Sequence, residues 1–151
     1  MTYQPDTKSV QAIPLPARVM GIASVIPFTA GALALALAPQ IKPEAAAALL
    51  AYGAMILSFL GGVRGGFAVL EDGEAGWGSY SMSALPAFIA WLGAAAGGPV
   101  GLLILAIALG LWYFAERAAP PAIALPDWYM RLRGTLTVIA VLSLIAGSVS
   151  W

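Results

Sequence analysis

Long apolar runs alternate with short polar clusters along this chain. The sequence reads RVMGIASVIPFTAGALALALA from about Arg18 to Ala38, and it stays apolar on nearly every face from about Glu44 to Leu70. Further runs occupy about Tyr80 to Ala96, Pro99 to Arg117 and Asp127 to Ser150. A helix that is apolar all round for about 20 residues matches the roughly 30 Å hydrocarbon core of a bilayer. The pattern predicts an all-α integral membrane bundle of five transmembrane helices, spanning about 18–38, 44–70, 80–96, 99–117 and 127–150, behind a polar N-terminal arm over 1–17.

The breaks between runs carry helix stop and start chemistry. Pro39, Gln40 and Lys42 end the first run, Pro43 suits a first helical turn, and Glu71, Asp72 and Glu74 end the second run. Gly97, Gly98 and Pro99 turn the third run directly into the fourth, and AAPPAIALP blocks continuation into the fifth, which Asp127 is placed to cap. Pro27 lies inside the first run, where it removes a backbone hydrogen bond and predicts a kink. The first run exceeds an ordinary signal-peptide core, so it reads as a retained anchor. The second run, at about 1.5 Å per residue, reaches about 40 Å and therefore tilts or protrudes.

Composition strengthens this picture: 61% of the residues are hydrophobic and 9% are charged, against about a quarter charged in soluble domains. Cysteine and histidine are both absent, which removes disulfides, thiol chemistry, most zinc and haem ligation and the commonest general base. No metal, cofactor or catalytic residue is expected, and no nucleic-acid partner.

The few charges are unevenly divided. Lys8, Arg18, Arg117, Arg131 and Arg133, with Arg64 nearest the same face, oppose Lys42 alone. The positive-inside rule then places the N-terminus inside and the C-terminus outside. Trp77, Tyr80, Trp112, Tyr113, Trp128 and Tyr129 fall near the expected inner interface and Trp151 near the outer one, as an aromatic belt requires.

Two constellations stand out. In SFLGGVRGGF, Ala54, Ser58, Gly62 and Gly66 repeat every four residues, with Gly61 and Gly65 in a parallel row, so a broad helix face lets another backbone approach closely. Arg64 lies between these glycines, roughly 6 Å inside the hydrocarbon edge. There it snorkels, pairs with Glu71, Asp72 or Glu116, or holds an anion. The second constellation joins Asp127, Arg131 and Arg133 to Trp128 and Tyr129. It permits an i,i+4 ion pair from Asp127 to Arg131, and lets the arginines hold lipid phosphates. Glu116 and Arg117 read as a solvated helix end.

The stretches AYGAMILSFLGGVRGGFAVL, SALPAFIAWLGAA and LPDWYMRLRGTLT resemble the small membrane family catalogued as a domain of unknown function, number 3429. The resemblance runs from Met20 to Ser148 and departs at Gly65, where the family carries an aromatic. It implies residence in a bacterial or mitochondrial inner membrane.

Lacking chemistry of its own, the chain is expected to be a non-catalytic accessory subunit, packed through its glycine faces against other integral membrane subunits and surrounded by membrane lipids. The alternative is a carrier or binding protein for a small anion or lipid-like molecule, with Arg64 and Arg131 as the cationic contacts.

Overall fold

The computed structural model describes residues 12–70, 76–121 and 123–151. Among these residues all regular structure is helical: α1 (Leu15–Leu37), α2 (Lys42–Leu70), α3 (Trp77–Ala96), α4 (Gly98–Ala118) and α5 (Asp127–Val149). One 3₁₀ turn, Pro39–Ile41, joins α1 to α2. Lys8, Glu71, Asp72 and Glu74 lie outside the described residues.

Helix ends follow the glycine and proline punctuation with two corrections. α3 begins at Trp77, a turn ahead of Tyr80, because the break falls at extended Gly76. Asp127 does not cap α5: Pro126 occupies the N-cap and no side chain completes a cap bond. The Asp127 carboxylate instead lies in the first turn, where free N–H groups favour negative charge.

By length and apolar content, α1, the stretch Pro39–Leu70, α4 and α5 can each cross a membrane. α3 is not among these four, because Ser79, Tyr80, Ser81, Ser83 and Pro86 dilute its N-terminal half. Large apolar side chains such as Ile22, Phe59, Phe88, Leu111 and Leu142 are exposed on all five helices. A soluble surface rarely carries apolar patches of that extent, so this is a multi-pass membrane protein.

The helices form a closed ring in which each touches the next, α5 returns to α1, and α2 touches all the others. Sequential neighbours run antiparallel, whereas α1 and α5 run parallel: Gly21 lies against Leu132 and Leu136 near their starts, and Gly147 against Leu35 near their ends. Phe28, Leu35, Leu49, Leu57, Leu102, Leu105, Leu109 and Leu144 fill the centre.

Small residues set the helix spacing, as expected where lipid provides no hydrophobic drive for helices to associate. A Cβ on Gly61 would meet the Ser83 carbonyl oxygen at 2.5 Å, and one on Gly101 would collide with the carbonyl of Gly93. In the α3–α4 turn, Gly97 and Gly98 adopt φ of 61° and 55°, a region costly for other residues. Trp151 covers this turn, its ring 3.8 Å from where a Gly98 Cβ would stand.

Pro27 leaves the carbonyl four residues earlier without its helical donor. In that same turn Tyr52 Oη donates to the Ser24 carbonyl at 2.8 Å, and its ring packs edge-on against Phe28 at 5.0 Å. α2 thereby supports the interrupted part of α1.

Candidate functional site

Charge concentrates at one end of the ring, where α1, α3 and α5 begin and α2 and α4 end. Arg64 stands six residues before the end of α2, Glu116 in the last turn of α4, and Arg133 in the second turn of α5. α4 and α5 form an antiparallel pair about the proline-rich link, which brings the last turn of α4 beside the second turn of α5. Glu116 Oε2 and Arg133 Nη2 approach to 3.2 Å with both side chains about 10% exposed. Arg133 Nη1 donates to Thr137 Oγ1 at 3.1 Å, one turn further along α5. Trp112 and Tyr129 also crowd this carboxylate and its arginine.

Arg64 is 8% exposed and its Nη1 has no hydrogen-bond partner. Its charge acts on Glu116, yet among the described residues no carboxylate lies within ion-pair distance of it; the one such pair is Glu116 with Arg133. Among the described residues the buried cluster therefore holds two guanidinium groups and one carboxylate. An excess buried cation is costly in a low-dielectric setting unless an anion balances it.

That excess opens onto a cleft of about 580 Å³. Arg64 and Glu116 form part of its wall together with Arg117, Arg131, Asp127 and Tyr129, and Pro120, Pro121, Ile123 and Leu125 of the link supply an apolar side. Arg117 and Arg131 are exposed at its rim, with Arg117 Nη1 donating to Tyr113 Oη at 3.4 Å. The Glu116–Arg133 pair separates this cleft from a nearly all-apolar groove of about 330 Å³ between α1, α2 and α5, which Arg133 and Thr137 border.

Several expectations change in the structure. Arg133 is buried and paired with Glu116, whereas Arg131 is exposed. Glu116 is a buried ion-pair member and not a solvated helix end. Asp127 and Arg131 form no ion pair within 4 Å. Trp112 is 5% exposed and belongs to the core, not to an interfacial belt, whereas Trp77 is 91% exposed, Trp128 and Tyr129 are half-buried, and Trp151 is 49% exposed.

The glycine face divides in two. Gly61 and Gly65 press on Ser83 and Pro86 of α3, whereas a Cβ on Gly62 or Gly66 would meet nothing within 4 Å. Ala54 and Ser58, in the row of Gly62 and Gly66, are half-buried.

Residues 13–149 match the family described as "Protein of unknown function (DUF3429)". The chain is 37% identical over 149 residues to Transmembrane protein 69 of Xenopus tropicalis, an alignment that covers 96% of this chain and 58% of that protein. It is 29% identical over 134 residues to Transmembrane protein 69 of Mus musculus, covering 87% of this chain and 55% of that protein. The chain thus spans little more than half the length of these curated relatives. No solved structure matches it.

Proposed function

The chain belongs to the DUF3429 family of membrane proteins, and from that premise we propose that it is a non-catalytic binding protein for an anionic small molecule or lipid head group. The bound group occupies the charged cleft at the end of the bundle. One observation carries this reading: Arg64, more than nine-tenths buried, presents an unpartnered Nη1 at a cleft lined by three arginines and two carboxylates. A guanidinium held that way matches carboxylate or phosphate oxygens with paired N–H groups.

In this reading all five helices cross the membrane, α3 included, since Trp77–Ala96 carries no charge and 20 residues reach about 30 Å. The arginine-rich end faces the cytoplasm or matrix by the positive-inside rule, in a bacterial or mitochondrial inner membrane.

The test is thermal unfolding of the purified protein in mild detergent with phosphate, citrate, oleate and an anionic lipid as separate additives. At least one anion should raise the midpoint of the wild-type chain, and Arg64→Gln should abolish that rise. A rise of equal size in Arg64→Gln rejects the reading.

A second reading, an accessory subunit docked on a larger assembly, has its own support in the bare outward row at Gly62 and Gly66. Replacing either by Leu should then abolish co-purification of the partner from native membranes, and unaltered co-purification would discard it.

A further inference from the structure

We propose that the ligand of the charged cleft is an amphiphilic phosphomonoester: a dianionic phosphate head seated on Arg64 and flanked by Arg117 and Arg131, with its apolar part against the proline-rich link. This rests on the anion-binding reading above and adds the identity of the anion. The first argument is charge. Arg64, Arg117 and Arg131 line the cleft with Glu116 and Asp127, and Glu116 is already paired with Arg133 behind the wall; among the described residues three cations therefore face one free carboxylate, which leaves two positive charges unmatched. A phosphomonoester carries between 1.5 and 2 negative charges near neutral pH, by general phosphate chemistry. A phosphodiester or a carboxylate supplies only one.

The second argument is the disposition of the cations. Arg133 is already held by Glu116 and Thr137, so its charge is satisfied from within the bundle. Among the described residues Arg64 is the cation at depth without an ion-pair partner, and Arg117 and Arg131 stand exposed at the mouth. A head group entering the cleft meets the rim arginines first and the buried guanidinium last, and a phosphate has enough oxygens to accept from more than one arginine at once.

The third argument is the apolar side. Pro120, Pro121, Ile123 and Leu125 face the same cavity as the arginines. A fully hydrated inorganic anion gains nothing from such a surface, whereas glycerol carbons or the first methylenes of a chain are removed from water there. The cleft lies at the ends of membrane-spanning helices, where lipid head groups are found.

The experiment titrates the full chain, purified in a non-ionic detergent, with three probes by isothermal calorimetry: dioctanoyl phosphatidic acid, dioctanoyl phosphatidylglycerol and glycerol 3-phosphate. Phosphatidic acid should bind saturably, one per chain, at least about tenfold tighter than either of the others. Arg64→Gln should weaken it about tenfold or more. Arg131→Gln, a change at an exposed position that leaves the core intact, should weaken it severalfold, so that a folding failure in the first variant does not decide the outcome. Equal affinity for phosphatidic acid and phosphatidylglycerol would overturn the dianion assignment. Equal affinity for phosphatidic acid and glycerol 3-phosphate would make the ligand a soluble phosphate and overturn the amphiphile assignment. If oleate or citrate binds through Arg64 and no phosphate does, this inference fails while the anion site stands; if no anion binds at all, both fail.

Discussion

Glu116 and Arg133 meet at 3.2 Å across α4 and α5, and Arg64 acts on the same carboxylate from α2. The carboxylate thus ties α4 to α5, with Arg64 as a more distant second cation. Removing the carboxylate leaves two buried guanidinium groups without the charge that offsets them, whereas removing Arg133 leaves Glu116 still under the influence of Arg64. Glu116→Gln should therefore destabilise the bundle by about 3–5 kcal/mol, and Arg133→Gln by clearly less. Equilibrium unfolding in mixed micelles measures both, and equal losses would contradict the shared-carboxylate arrangement.

Adjacent glycines on α2 should respond in opposite ways. A methyl group at position 61 runs into the Ser83 carbonyl, so Gly61→Ala forces α2 and α3 apart and lowers the melting midpoint. Position 62 is open, so Gly62→Ala gains helix propensity and is neutral or stabilising by up to about 1 kcal/mol. The two single variants, melted side by side in one detergent, check this contrast.

Tyr52 supports the turn of α1 that Pro27 interrupts. Tyr52→Phe keeps the edge-on ring contact with Phe28 and removes the 2.8 Å bond to Ser24, which should cost about 1 kcal/mol. Pro27→Ala returns the missing N–H to α1. The carbonyl freed by Pro27 is that of Ala23, one residue before the Ser24 acceptor of Tyr52, so the two substitutions should be close to additive, and a double-mutant cycle reads any coupling.

Arg64 offers a test that separates binding from architecture. If its charge is unbalanced in the empty bundle, Arg64→Gln should leave the midpoint unchanged or raise it in the absence of ligand, as happens when a site costs stability to maintain. A drop of many degrees would make Arg64 a structural residue.

Much of this arrangement was legible in the sequence because bilayer spans are set by run length and by proline and glycine punctuation, both of which are local. The helix ends at Gly97, Pro126 and Leu70 illustrate this. Which face of a helix turns inward is a property of several helices at once, and there the sequence misled. Arg131 and Arg133 are two residues apart on α5, and only their opposite faces decide that one is exposed and the other buried. Trp112 sits near a helix end, as a belt residue would, yet it points to the centre. The Glu116–Arg133 pair left only a weak trace, the position of the two residues on either side of the link between α4 and α5. Reading it required treating that link as a hairpin and not only as a break. The split between Gly61 and Gly62 left none, because both fit a small-residue row and only the position of α3 distinguishes them.

The parallel seam between α1 and α5 joins two helices that all of α2, α3 and α4 separate in the chain. During synthesis α1 must wait for all the intervening chain before that side of the ring can close, and until then Gly21 and Leu35 face lipid or the insertion machinery. A nascent chain stalled before α5 emerges therefore holds an open arc of helices, and contacts of such long sequence separation are slow to form.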